Sequence, residues 1–147
     1  MLFRSLFDCD KELPNRLATL NMIHGEHLDL SYHAAPGLQL PWDRADLLEL
    51  LGNLLDNACK WADADVRLSV SETERCYLLA VEDDGPGIPE GQRDQVFSRG
   101  TRLDEQIDGH GLGLGIVRDI VEVWGGVMQL QESKLGGLKV LIELPKR

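Results

Sequence analysis

Residues 49–61 read ELLGNLLDNACKW. On a 3.6-residue pitch Glu49, Asn53, Asn57 and Lys60 share an arc of about 80°, while Leu47, Leu51, Leu54, Leu55 and Ala58 take the opposite side. The spacing predicts a long helix from Arg44 to about Ala62, with Asp43 as its N-cap. A plain solvated face would carry Lys, Glu and Gln. Asparagine suits a helix poorly, because its amide competes with the backbone for hydrogen bonds. Two asparagines in register, framed by a glutamate and a lysine, read as a row of ligand groups, with an ordinary solvated face as the plainer alternative.

Outward from this helix, alternation takes over. HLDLSYH (27–33) reads as a half-buried strand, Pro36-Gly37 as a turn, and Leu38 to Leu40 as a short strand pairing back on it. Val66, Leu68 and Val70 alternate as a further strand, and CYLLAVEDD (76–84) forms another that ends at acids. VMQLQ (127–131) and LKVLIEL (138–144) are two strands joined through Gly136-Gly137, preceded by a helix from Leu112 to Trp124 with Leu112, Ile116, Ile120 and Trp124 at four-residue spacing. Before residue 25, Leu6, Leu13, Leu17, Leu20 and Ile23 suggest a helix from Asp10 to Met22, interrupted by Pro14, whose stripe packs on something outside this chain. The order of elements predicts an α+β fold: a two-layer sandwich of a mixed, mostly antiparallel sheet with its helices on one face.

The 147 residues suit one domain with a real core. A net charge of −10 argues against nucleic acid or an anionic membrane surface as the main partner. No apolar run approaches the ~20 residues of a bilayer span. Cys9, Cys59 and Cys76 have no paired spacing, which suits a reducing compartment, and Cys59 and Cys76 read as packing residues.

Two further stretches carry chemistry. In VEDDGPGIP, Asp83 and Asp84 stand where a buried strand gives way to a turn, and Gly85 and Gly87 permit positive φ or close approach of a ligand. Alone, DDGPG is an everyday turn. An aspartate fixed there can accept from an exocyclic amino group, favouring adenine over guanine, whose carbonyl would face an acceptor. DGHGLGLG (108–115) lacks the Lys-Ser/Thr of a P-loop and fails G-x-G-x-x-G in every frame. What remains is a helix start stripped of side chains, whose free N–H groups and dipole favour an anion; close helix packing or a hinge would use the same glycines. The long intervening stretch reads as a lid. Its Arg93, Arg99 and Arg102, with His110 at its end, are the local cations an acidic protein needs beside a polyphosphate, although His110 fits equally as a solvated histidine. Phe97 reads as the lid's hydrophobic pin.

Taken in order, NLLDNACKW, DDGPG, VFSRG and GHGLG resemble the asparagine box, first glycine box, lid segment and second glycine box of the ATP-binding catalytic domain of sensor histidine kinases, which have the Bergerat ATP-binding fold. The resemblance runs from about His27 to Leu144, and LGNLLDNACKW with VEDDGPGIP and RGTRLD is most like the PhoQ subgroup. It implies Mg-ATP as ligand. Asn53 then gives its amide oxygen to Mg²⁺ and Asn57 supports the metal or its waters. Lys60 reaches the phosphates, and Trp61 replaces the usual tyrosine beside the base. Asp83 takes the adenine amino group, and Gly85, Gly87 and Ile88 line the pocket. Arg102 and His110 meet the phosphates, with backbone donors from Gly111, Leu112 and Gly113 and the neighbouring Leu114 beside the ligand. Glu49 stands where ATPases of the wider group keep a water-activating acid, and is here a polarising group. Ile107 replaces a basic residue common in such lids, and His110 replaces a Gln, Ser or Thr.

The acceptor in these kinases is a histidine followed by an acid with a proline nearby. His24, His27, His33 and His110 lack that context. The resemblance therefore implies a catalytic domain (26–147) whose residues 1–25 are the tail of a connection to a dimerisation domain bearing the acceptor. Its further partner is a response regulator, its parent an inner-membrane sensor with this domain on the cytoplasmic side, and the isolated domain a monomer that neither binds nucleic acid nor inserts in the membrane. A freestanding anti-sigma-type serine kinase, an ATPase module of the wider group and a non-catalytic interaction domain are the alternatives.

Overall fold

The computed structural model describes residues 7–25, 27–89, 91 and 110–146. Strand β1 (Phe7–Asp8) leads into helix α1 (Cys9–His24), followed by β2 (Asp29–Ala34), β3 (Gln39–Leu40), α2 (Arg44–Trp61), β4 (Asp65–Glu72), β5 (Cys76–Asp83), α3 (His110–Val123), β6 (Val127–Glu132) and β7 (Leu138–Pro145). The main sheet runs β2-β4-β5-β7-β6, and β1 and β3 form a separate two-stranded sheet. Among the described residues only the β2–β4 pair of the main sheet is parallel. The mixed, mostly antiparallel sheet is as the sequence predicts.

Register explains the two layers. Leu30, Tyr32 and Ala34 lie opposite Val66, Leu68 and Val70, which lie opposite Asp83, Val81 and Leu79. Val140 and Ile142 continue the row beside Val81 and Leu79, and Leu130 and Met128 close it. A period of two sends all of these to one face. Onto that face α2 presses Leu47, Leu50, Leu51, Leu54, Leu55 and Ala58, and α3 adds Leu114, Val117 and Val121, all buried. At the end of the sheet where β5 begins, Trp42 packs on Tyr77 and on Trp124, each at 5.4 Å between ring centroids. At the other end β5 finishes at the buried Asp83, with Leu28, Val66 and Leu138 buried at the same end.

Three expectations need correction. Leu38 to Leu40 do not pair back on β2; Leu40 pairs with Phe7, a two-residue ladder too short to leave a period in the sequence. The stripe of α3 is Leu114, Val117 and Val121, continuing to Trp124, with Ile116 and Ile120 only half-buried at its flank. Steps of four residues drift by about 40° each, whereas alternating steps of three and four hold one face. The stripe of α1 is used inside the chain: Leu13, Leu17 and Leu20 are buried in the common core, whereas Ile23 is exposed. The core thus continues across residue 25.

Helix α1 starts at Asp8, whose side chain accepts from Asp10 N, and carries Pro14 within it. A histidine–carboxylate hydrogen bond and an ion pair clamp it to α2. His24 Nε2 lies 2.7 Å from Asp56 Oδ1, and the guanidinium of Arg44 grips Glu12 through both Nε and Nη2. The hydrogen bond from Arg44 holds the Glu12 carboxyl below its ordinary 4.5, against a smaller upward pull from burial. A lowered carboxylate pKa stabilises the fold above the unfolded value, and that contribution is lost as pH falls through the folded one. Arg44→Ala is therefore expected to lower the urea midpoint at neutral pH, with the gap to the parent closing as the solution is acidified below 4.5. A gap that persists once Glu12 is protonated would locate the loss elsewhere.

Burial pushes the Cys59 thiol up to about 12 and that of Cys9 to about 11. Both stay protonated and pack as small apolar side chains.

Candidate functional site

Helix α2 presents its leucines to the sheet, and this sets where its asparagines go. Asp43 caps the helix by accepting from Asp46 N at 3.2 Å. Glu49 and Lys60 lie exposed at the two ends of the polar row, Asn53 is half-buried, and Asn57 is 4% exposed. The amide of Asn53 donates through Nδ2 to Glu49 O at 2.8 Å, so its oxygen is the end left for a ligand. That oxygen lies 3.9 Å from the position a Cβ on Gly113 would occupy, so the asparagine row and the start of α3 face each other closely. The oxygen of Asn57 is buried with no hydrogen-bond partner among the described residues. Buried amide oxygens are rarely left so. Two uncommitted amide oxygens in register are a donor set for a hard cation such as Mg²⁺, which takes few protein ligands and completes its shell with water and phosphate.

The turn after β5 lies at the end of the same helix. A Cβ on Gly85 would stand 2.1 Å from Trp61 O and 2.9 Å from Trp61 C, so only glycine lets the turn touch the last residue of α2. Gly87 adopts φ +71°, and Ile88 behind it is buried. Asp83 is 2% exposed. Its Oδ1 accepts from Gly85 N at 2.9 Å and Leu138 N at 3.3 Å, and its carbonyl accepts from Gly137 N at 3.1 Å. Burial raises the Asp83 pKa, and the two amide hydrogen bonds only partly offset it.

Asp84, one residue on, faces the other way. Its carboxylate accepts from Asp63 N at 2.8 Å and Ala64 N at 3.0 Å, which staples the α2–β4 connection. Burial pulls its pKa upward, but the backbone amides together outweigh this and hold it below the ordinary aspartate value. The sequence shows a pair of acids; the structure buries Asp83 beside the turn and turns Asp84 to the α2–β4 connection.

Trp61 is half-buried at the end of α2. Helix α3 begins at His110, two residues earlier than its spacing suggested, so Gly111, Leu112 and Gly113 form its first turns. For His110, Gly111 and Leu112 only the backbone belongs to the described structure. Leu114 sends its side chain into the core, so what it offers a ligand is backbone. Arg102, with Arg93, Phe97, Arg99 and Ile107, lies outside the described residues. Two residues are missed by the sequence reading: Gly137 and Leu138, whose backbone cradles Asp83. The only trace is Gly136-Gly137, which reads as a hairpin turn.

The arrangement is a buried, fixed acceptor at one end of α2, paired amide oxygens along it, and a glycine-started helix facing them. The family profile described as histidine kinase-, DNA gyrase B- and HSP90-like ATPase matches residues 42–147. Over 139 residues the chain is 63% identical to the sensor protein kinase CarS of Pseudomonas aeruginosa, covering 95% of this chain and 31% of that protein. It is 36% identical over 141 residues to the sensor protein PhoQ of Escherichia coli, covering 95% of this chain and 29% of that protein. It thus spans about a third of the length of these curated relatives. Its fold superposes on the ATP binding domain of PrrB from Mycobacterium tuberculosis with a TM-score of 0.78 and 29% identity, covering 97% of this chain and 96% of that one. The asparagine row, Asp83 and the glycine-started helix all fall within the matched residues, and the chain belongs to the histidine kinase-, DNA gyrase B- and HSP90-like ATPase family.

Proposed function

We propose that this chain is the catalytic domain of a two-component sensor kinase, which binds Mg-ATP and presents the γ-phosphate to a histidine on a separate dimerisation domain, for relay to a response regulator. The observation that carries the reading is Asp83: a buried carboxylate, fixed by backbone amides and set at the end of the helix whose two asparagine oxygens are uncommitted. Asp83 orients the base by accepting its exocyclic amino hydrogen. Asn53 and Asn57 hold Mg²⁺, which supplies charge neutralisation to the phosphate oxygens when bound. The first turns of α3, free of bulky side chains at Gly111 and Gly113, offer N–H donors to the phosphates. Lys60, Arg102 and His110 add positive charge there, and Glu49 polarises the far end of the row. Catalysis is then positioning and charge stabilisation, as phosphoryl transfer requires.

The acceptor domain and the regulator belong to the remainder of a parent sensor, with this domain on the cytoplasmic side of the membrane and monomeric when isolated. Among the described residues no helix is long and apolar enough to cross a membrane. Residues 1–25 are, in this reading, the tail of the connection to that acceptor domain.

Calorimetric titration with ATP and then GTP, each with Mg²⁺, tests the pocket. Saturable binding of ATP and at least about 100-fold weaker binding of GTP is expected, because a buried group left facing a like partner rejects the analogue strongly. Transfer of labelled γ-phosphate to a separately supplied acceptor domain tests the kinase reading. ATP binding without transfer to histidine would overturn it, and label appearing on serine would replace it with a serine kinase.

A further inference from the structure

The hairpin between β6 and β7 holds Asp83 in place. Leu138 N and Gly85 N both donate to the same oxygen, Oδ1. Among the described residues no donor reaches Oδ2. A Cβ on Gly137 would lie 2.1 Å from Oδ1, 2.6 Å from Asp83 O and 2.7 Å from Gly85 N. The carboxylate is therefore locked about its terminal torsion, with one oxygen committed to the backbone.

We propose that this hairpin sets the base selectivity of the site: Gly137 and Leu138 act as positioning residues that bind Oδ1 and leave Oδ2 as the single acceptor presented to position 6 of a purine. The inference rests on the nucleotide-binding reading and deepens it. It makes a demand that a freely rotating aspartate would not. In an Asp83→Asn chain the two backbone donors can donate only to an amide oxygen at the Oδ1 position, since an NH₂ there would face two N–H groups. The NH₂ must then occupy the Oδ2 position. An acceptor becomes a donor, and the partner it suits changes from a 6-amino to a 6-oxo purine.

The test uses the full chain with Mg²⁺ and two nucleotides that differ at the 6-position of the base, ATP and inosine triphosphate. The parent is expected to prefer ATP by at least about 100-fold. Asp83→Asn, which is isosteric, is expected to weaken ATP and tighten inosine triphosphate until the preference reverses. A variant that melts like the parent but binds neither nucleotide, or still prefers ATP, overturns the proposal. Gly137→Ala is the second variant. It leaves the chemistry of position 83 intact but displaces Oδ1, and its ATP preference should fall at least about tenfold, one lost hydrogen-bonded discrimination of about 1.4 kcal/mol. An unchanged preference in a folded Gly137→Ala chain also overturns it, and if that variant does not fold, Asp83→Asn decides alone. Should the parent bind no ATP, the nucleotide reading falls and this inference with it. Should the parent bind ATP while Asp83→Asn shows no reversal, only the hairpin inference falls.

Discussion

Replacing Gly85 with alanine is expected to abolish ATP binding and to destabilise the chain together. The added methyl would meet Trp61 O at 2.1 Å and Trp61 C at 2.9 Å. Both are backbone atoms at the end of a packed helix, so no side-chain rotation relieves the clash. Either the turn backs away from α2 or the last turn of α2 unwinds. Each separates Asp83 from the asparagine row, and overpacking of this kind costs about 1–3 kcal/mol. A thermal melt should show a loss of several degrees, and titration with Mg-ATP should show no saturable binding. Binding at parental affinity would show that the turn and the helix need not touch.

The second large effect has the opposite character. Asn57→Ala is expected to weaken Mg-ATP binding about 10–100-fold, a loss of the size seen when metal-site groups are removed, without lowering stability. The buried oxygen of Asn57 has no partner among the described residues, and an unsatisfied buried acceptor costs about 1–3 kcal/mol. Relief of that cost offsets the packing given up with the side chain. ATP titrated without Mg²⁺ should bind parent and variant alike, which separates a metal-holding role from a packing one. A variant that loses metal-free ATP equally, or melts several degrees lower, would make Asn57 a structural residue.

How much of this was legible in the sequence depends on the distance over which each residue acts. The leucines of α2 and the alternation in β4, β5 and β7 are local periodicities, so their elements were readable. The rotation of the asparagine row follows from the same period. The ladder of Phe7 with Leu40 spans two residues on each side, too few to show a period. Alternation reports which face a side chain takes but not strand direction, so the parallel pairing of β2 with β4 was hidden. The drift in the α3 stripe came from weighing four-residue steps alone. Gly137 and Leu138 were the harder miss. Leu138 meets Asp83 from 55 positions away, across a pairing that only the folded sheet creates. The division of labour between Asp83 and Asp84 was in fact written locally. Period two puts Asp83 on the face of Leu79 and Val81 and turns its neighbour away.

That last pairing has a consequence for how the chain meets acid. Buried Asp83 takes up its proton above the ordinary aspartate value of 3.8, whereas Asp84, held by the amides of residues 63 and 64, keeps its charge below it. A group with a raised pKa protonates early, and one with a lowered pKa gives up its stabilisation only when the pH falls through the folded value. With Asp83 in its proposed role, base recognition is expected to be silenced first as the pH drops, while the staple between α2 and β4 is still closed. Loss of nucleotide binding and acid unfolding are thereby expected to separate, with binding restored when the proton leaves Asp83.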